Sequence, residues 1–386
     1  MPRQIKLQVG NGLHGNNWQS ADWAWLAFTE LNLSFIQGRQ LVQNWPRVEE
    51  LFYSIDLNQL KHLLSSRQLN HWRQLRQADL PKHFQQQYHW LQKHRPYLIT
   101  WHDESFPRQL KLLHDCLGWL WVQGNIDVLA DPAIAMVGGR KASSSGLALA
   151  GEYAQALASA GLTVVSGLAI GVDGASHLGA LEAGGDTIAV LGSGLAKVYP
   201  ARHQYLAKKI IANGGTLVSP WPLFLPAMPH QFPARNSIIS GLSLGVLVVE
   251  AAPKSGSLIT ARMALEQGRE VFALPASVHN RRAQGGLDLL RAGACLVYTP
   301  QQIIAELAPM LNEPSTAPGA TNSIAQQEYL PDQLQQLLNQ FGSDPLPVDI
   351  ICQQLALPYA EVAAQLMELS LLGYLIEGPQ GYEIIG

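Results

Sequence analysis

The stretch Ala135–Gly146, AMVGGRKASSSG, sets an apolar run against two glycines, two cations and a hydroxyl-rich turn. A parallel α/β fold presents backbone N–H groups and positive charge to a phosphate in this way, with an apolar strand ending in glycines and leading into a helix. The phosphate so received belongs either to a small nucleotide or to the backbone of a nucleic-acid strand.

Outward from this stretch, from about Ile134 to Thr299, the same strand–turn–helix unit recurs. The apolar runs AIAMVGG, LTVVSGLA, DTIAVLGSG, GTLVSP, LGVLVVEA, EVFALPA and CLVYT are mostly continuous rather than alternating, as strands covered by helices on both faces are. The intervening helical stretches GLALAGEYAQALASAG and SLITARMALEQG close at Gly161 and Gly268, both placed as C-caps. Alternating β and α predicts an α/β class: a Rossmann-like, doubly wound, mostly parallel sheet with right-handed crossovers. Ligands on such a sheet bind at the carboxyl ends of the strands.

The flanks read differently. Residues 20–90 carry apolar side chains at three- and four-residue spacing, as in RVEELFYSIDLNQLKHLLSS, and predict helices. Within them QLNHWRQLRQADLPKHFQQQYHWLQKHRPYLITWH mixes cations with aromatic rings. That suits stacked bases and phosphates of a single strand; the plainer reading is an amphipathic helix pair that packs its tryptophans inward. The Pro-, Ser-, Thr- and Ala-rich run APMLNEPSTAPGATNSIAQQEYLP reads as a linker. Three short helical patterns and two strands around Gly-Pro-Gln-Gly then describe a winged helix. The expected division is a helical domain over 1–95, a Rossmann-like domain over 96–305, a linker over 306–330 and a winged helix over 331–386.

The 386 residues, with 47% hydrophobic and 14% charged side chains, suit a soluble globular protein of two or three domains. The opening MPRQIKLQVGNGLHG lacks a signal-peptide core, and no run approaches the ~18 apolar residues of a membrane span. Cys116, Cys295 and Cys352 form no CxxC pair, which points to a reducing cytoplasm and no membrane partner. The net charge of −3 hides a division: no Lys or Arg follows Arg291, whereas ten of the 29 acids do. The front is therefore +7 and the back −10, so the two parts face different partners.

Five strand-end loops gather anion-seeking residues. The first holds Gly138, Gly139, Arg140, Lys141 and Ser143; the second, Ser166, Gly167, Gly171, Asp173 and His177. The third holds Gly192, Ser193, Gly194, Lys197, Tyr199 and Arg202; the fourth, Phe232, Arg235 and Asn236. The fifth holds Glu250, Lys254, Ser255, Gly256, Ser257 and Thr260. Glycines let backbone approach an anion, helix starts aim N–H groups at it, and Arg and Lys supply countercharge. One such loop is an ordinary turn; five on one sheet edge make an anion-binding crevice, which with Phe232 and Tyr199 as stacking platforms suits a nucleic-acid strand passing through. Asp173 and His177, four apart at a helix start, suit an acid–base pair or, more plainly, a loop-ordering Asp beside a packed His.

A small-nucleotide site fits poorly. The first loop lacks the spacing GxGxxG, no acid follows the second strand to hold a ribose, and GxxxxGK[ST] is missing. No metal-ligand cluster or nucleophile–base pair stands in a suitable context, so neither cofactor nor metal is expected.

In MVGGRKASSSG, SGLAIGVDGASHLGALEAGGDTIAVLGSGLAKVYP, FPARNSIISGLS, VLVVEAAPKSGSLITARMALEQGREVFALP and GLDLLRAGACLV the sequence resembles the DprA/Smf family of DNA-processing proteins. The lead-in YLITWHDESFPRQLKLLHDCLGWLWVQGN is similar as well. The resemblance implies a helical accessory domain of SAM or helix-hairpin-helix type in front and a winged helix behind. It implies a non-enzymatic protein that binds and protects single-stranded DNA in natural transformation and homologous recombination. RecA recombinase, which it helps to load, and a second copy joined through the Rossmann-like domain would be its partners. By motif position Arg140 is the principal phosphate-binding arginine on a Gly138–Gly139 platform; the Lys197–Arg202 loop continues the groove; Phe232, Arg235 and Asn236 border it; Lys254 and Ser255–Ser257 open the next helix. The sequence departs from the family pattern at Gly139, Ser237, Ser219–Pro220, Pro275–Ala276 and GGLDLL, which bears on the strand's path. The competing expectation is a phosphoribohydrolase-type nucleotide enzyme with Glu250 or Asp173 as its catalytic carboxylate, against which PKSGSLITA only partly resembles the expected glycine loop. A third is an interaction scaffold whose loops have lost their ligand. The acidic tail, with Glu361, Glu368, Glu377 and Glu383 where a DNA reader carries cations, is expected to contact protein or to shield the basic middle.

Overall fold

Short, continuous apolar runs become buried strands, and the glycine-closed stretches between them become their covering helices. The structure is a computed structural model. It describes residues 20–113, 118–312, 337, 348–355, 357–359, 362–363, 365–366, 369, 375–378 and 381–384. Readings that fall on residues 1–19, on Cys116, on the linker from 313 and on most of 332–341, with Glu361 and Glu368, lie outside the described residues.

The sheet has nine strands. In chain order they are β1 (Tyr97–Thr100), β2 (Trp119–Gly124), β3 (Ala133–Val137), β4 (Thr163–Ser166), β5 (Thr187–Val190), β6 (Thr216–Ser219), β7 (Gly245–Val248), β8 (Glu270–Ala273) and β9 (Cys295–Leu296). Their spatial order is β1-β2-β6-β5-β4-β3-β7-β8-β9. Every pair from β6 through to β9 is parallel, whereas β1 and β2 close one edge antiparallel. The predicted mostly parallel, doubly wound sheet is therefore present, with an antiparallel edge in addition. The chain runs outward from β3 through β4 and β5 to β6, then returns to lay β7 on the other side of β3. That reversal is the switch point at which loops part and a crevice opens.

Helices α1 (Ser20–Thr29), α2 (Phe35–Asn44), α3 (Ser66–Gln77), α4 (Leu80–His83) and α5 (Gln85–His94) form the front. Two of them start at capping boxes, Ser34 with Gln37 and Ser65 with Gln68, which satisfy the first free N–H groups reciprocally. Trp72 is fully buried, Phe28 touches both Trp72 and Trp119 of β2, and one apolar core continues from these helices into the sheet. Trp72 thus follows the plainer of the two readings and is no base-stacking surface. The short α6 (Arg108–Lys111) precedes β2, and α7 (Ser144–Ser159), α8 (Val172–Glu182), α9 (Gln204–Ala212), α10 (Gln231–Gly241), α11 (Gly256–Glu266), α12 (Gln284–Arg291) and α13 (Pro300–Asn312) complete this part.

The chain divides into two compact units, residues 1–313 and 314–386. In the second, a helix at Val348–Leu355 and the antiparallel hairpin of β10 (Leu375–Gly378) and β11 (Gly381–Ile384) accompany a small core of Leu337, Ile351, Val362, Leu366 and Leu369.

Candidate nucleic-acid interface

Backbone built the crevice before side chains did. At the switch point the Gly139 N–H donates to the Glu250 carbonyl at 2.6 Å and ties the loop after β3 to the loop after β7. Gly171 has φ of 93°, and a Cβ there would lie 2.3 Å from the Gly139 carbonyl oxygen. Only glycine lets the loop after β4 lie against the Gly138–Arg140 turn. Between them opens a cavity of about 630 Å³.

Its lining is cationic and aromatic. Arg140 is exposed, with its guanidinium 5.2 Å from the centre of the Phe232 ring; Tyr199 meets the same ring at 5.8 Å. Lys141, Lys254 and Arg282 are exposed on the rim. Asn236 reaches the Gly256 carbonyl at 3.5 Å, and the Ser255 side chain caps α11 by accepting from the Ser257 N–H. The guanidinium over a ring is a cation–π contact that holds Arg140 extended along the wall.

Both carboxylates in the crevice are engaged. Glu250 is buried; its Oε1 accepts from the Ser143 N–H at 2.9 Å and its Oε2 from the Ser143 hydroxyl at 2.6 Å and Asn280 Nδ2 at 3.4 Å. It thus sits at the start of α7, where the helix dipole favours an anion. Asp173 is buried and accepts from the N–H groups of Gly167 at 3.2 Å and Ala169 at 3.3 Å. Burial pushes its carboxyl above the usual range, opposed by the Arg235 charge and those two N–H groups. His177 is buried too, its Nδ1 2.7 Å from the Thr187 hydroxyl, which itself donates to the Val164 carbonyl. Burial, with the charges of His203 and Arg235, lowers its imidazole to about 3, a neutral packed histidine. Asp173 and His177 therefore follow the loop-ordering reading, not the acid–base one.

Fourteen of the candidate residues come together around the cavity: Gly138, Gly139, Arg140, Lys141, Asp173, Phe232, Arg235, Asn236, Glu250, Lys254, Ser255, Gly256, Ser257 and Thr260. Arg235 is placed as floor rather than border. It is buried, donates to the Val190 carbonyl at 2.6 Å, and is lowered by burial to about 10, still a cation at neutral pH. Gly167 shares a smaller recess with Arg140, Tyr199 and Phe232. The others stand apart. Ser143 is occupied by Glu250, and Ser166 is buried with its hydroxyl on the Met136 carbonyl at 2.6 Å. Gly192 lies under the Phe232 ring, where a Cβ would come within 2.8 Å, and Ser193 and Gly194 are buried beside it. Lys197 is exposed over the Phe224 ring at 5.8 Å, and Arg202 is exposed just ahead of α9. Sequence reasoning passed over Arg282 and Asn280. Their signal was available: two adjacent arginines, HNRRAQ, follow the strand EVFALPA. Among the described residues no group of three or more His, Cys, Asp or Glu is placed to hold a metal, and no helix is long and apolar enough to cross a membrane.

The chain matches the family model of the DNA recombination-mediator protein A over residues 97–308 and that of the DprA winged helix domain over 319–381. It is 43% identical over 299 residues to Protein Smf of Escherichia coli strain K12, covering 76% of this chain and 78% of that one. It is 41% identical over 204 residues to the DNA processing protein DprA of Streptococcus pneumoniae, covering 53% and 72% of the two. The X-ray structure of the pneumococcal protein superposes with a TM-score of 0.64 at 32% identity, over 74% of this chain and 97% of that one. DNA processing protein A of Helicobacter pylori, whose structure concerns its single-stranded DNA binding mode, gives 0.50 at 28% identity over 55% and 96%.

Proposed function

The chain belongs to the DNA recombination-mediator protein A family, also written DprA/Smf, and from that premise we propose that its crevice grips the sugar-phosphate backbone of single-stranded DNA. One observation carries the reading: four exposed cations, Arg140, Lys141, Lys254 and Arg282, surround a switch-point cavity in which Phe232 offers a ring. Cations beside aromatic faces are what an unpaired strand needs, since phosphates take the charge and bases the stacking. The Helicobacter relative, described for its single-stranded DNA binding, supports the choice of ligand.

The strand is held, not cleaved. A nucleotide hydrolase of the phosphoribohydrolase type needs Glu250 or Asp173 free to attack or to take a proton. Glu250 is held by Ser143 and Asn280, and Asp173 by two backbone N–H groups. The family's role then extends to this chain as protection of the strand, assistance in loading RecA recombinase, and pairing of two copies through the Rossmann-like domain in the cytoplasm. The division into a helical domain, a Rossmann-like domain, a linker and a winged helix is proposed on the same footing. The test is titration with a short homopolymer strand and its duplex at two ionic strengths. The single strand binds more tightly and weakens steeply with salt; equal binding of the duplex, or none of either, overturns the reading.

A further inference from the structure

The helical front carries a ring-and-cation surface that the crevice does not use, and the fold brings it beside α9. Trp90 and His94 of α5, both half-buried, stack at 4.5 Å, and Trp90, with its inner side on the core, meets the half-buried Phe224 at 6.4 Å, the same ring that Lys197 covers. Lys93 of α5 and Lys208 of α9 both act on the His94 imidazole, so the two helices place their cations around one spot. Arg202 in the turn ahead of α9, and Tyr205 and Lys208 on α9, are exposed and follow at three-residue steps; Tyr205 and Lys208 share one face of that helix. Tyr205 is 78% exposed. Tyr199, which touches Phe232 in the crevice wall, lies three residues ahead of Arg202.

Charge patterning agrees. No Asp or Glu occurs from Thr187 to Val249, a span holding Lys197, Arg202, Lys208, Lys209 and Arg235. None occurs from Leu80 to His102 either, where Lys82, Lys93 and Arg95 lie. A surface patch on an average protein mixes signs, and two acid-free segments meeting at one place make a basic strip.

Resting on the crevice reading above, we propose that a single strand leaving the crevice continues over Tyr199 and the exposed face of α9 to Trp90 and Lys93 of α5. The helical front thus supplies a second subsite for single-stranded DNA. Bases lie on Tyr199 and Tyr205, and phosphates meet Arg202, Lys208 and Lys93.

Two homopolymer strands test it, one of about six nucleotides that fills the crevice and one of about 25 that reaches beyond it. Lys93→Ala combined with Lys208→Ala removes two exposed cations, so the fold is retained. Each lost phosphate contact lowers the salt slope by ~0.7 for a single strand. On the long strand the slope therefore falls by ~1.4, and the wild-type advantage shrinks ~7-fold between about 50 and about 200 mM salt. The short strand is bound as by wild type. Tyr205→Ala weakens the long strand ~5-fold or more and leaves the short one unchanged. Should both variants match wild type on the long strand while Arg140→Ala weakens both lengths, the path over α9 and α5 is wrong and the crevice stands. Should wild type hold neither strand, the crevice reading itself falls, and the path with it.

Discussion

Replacing Arg140 with alanine is the sharpest perturbation of the crevice. Its guanidinium is exposed, rests on the Phe232 ring at 5.2 Å, and has no carboxylate within ion-pair distance among the described residues. Truncation therefore removes little from the folded protein; exposed substitutions of this kind stay within ~0.5 kcal/mol. The bound state loses a charge-assisted hydrogen bond to phosphate, about 2 kcal/mol, or roughly 30-fold in Kd. Because that contact displaces a counterion, the slope of log K against log salt flattens by ~0.7. Affinity then differs between wild type and variant ~2.6-fold less at about 200 mM salt than at about 50 mM. Anisotropy titrations of a labelled homopolymer at four salt concentrations measure both numbers, and thermal denaturation reports that the fold is intact. Arg140→Lys retains the charge and hence the slope, while losing affinity through the poorer fit of an ammonium to a ring face and a phosphate fork. An Ala variant with wild-type affinity and wild-type slope would refute the assignment of Arg140 to a phosphate.

Glu250→Gln removes a negative charge from a basic crevice while leaving an acceptor for the Ser143 N–H. Single-strand affinity rises, and the melting temperature drops by an amount consistent with a weakened cap of ~1 kcal/mol; weaker DNA binding would contradict the structural role given to this carboxylate. His177 is held at about 3 by burial, below its ordinary 6.5. The unfolded chain takes up that proton as pH falls below 6.5 while the folded chain refuses it, so stability is lost on acidification between about 6.5 and about 3. In His177→Asn, whose amide nitrogen can replace Nδ1 toward Thr187, the melting temperature falls less steeply from pH 7 to pH 4; equal steepness would show that other groups set the acid limb. A chain ended at residue 313, which keeps the first compact unit whole, removes the segment that holds acids and no bases. Its single-strand affinity equals or exceeds that of the full chain, and a tenfold loss would mean that the tail holds DNA.

The sheet was legible because its strands obey one rule throughout. A strand covered on both faces has no polar side, so AIAMV, TVVS and GVLV read as continuous apolar runs, and all are buried in the parallel part of the sheet. The antiparallel edge was not legible. TyrLeuIleThr at 97–100 and TrpLeuTrpVal at 119–122 are apolar runs as well, and nothing in a single strand's composition states the direction of its neighbour. Pairing of β2 with β6 is a contact between residues about 100 apart, which no local signal states. For the same reason an aromatic-rich helix such as α3 was ambiguous: periodicity places Trp72 on a face, and only the docking of Phe28 and Phe52 against it decides that the face is inward.

The site was legible at the level of loops and not of side chains. Glycine spacing identified the turn at 138–140 because the close approach of Gly171 to it leaves no room for a Cβ, a requirement of backbone that sequence expresses directly. Whether a polar side chain at a strand end faces ligand or structure depends on what stands behind it. Ser166 turns to the Met136 carbonyl, and Ser143 to Glu250, although both have the residue type and position of an anion ligand. Arg235 shows the limit best. As a cation in FPARNS it reads as rim, yet Gly167 leaves a gap into which its guanidinium inserts, reaching the Val190 carbonyl of β5. There it stands as a buried positive charge beneath the cavity, screened far less than the exposed lysines around it. Its charge is shared with the buried Asp173 carboxyl, so the pull on a passing phosphate falls to the exposed rim of Arg140, Lys141, Lys254 and Arg282. Salt dependence therefore counts the phosphates that those four cations neutralise, ~0.7 in slope for each on a single strand.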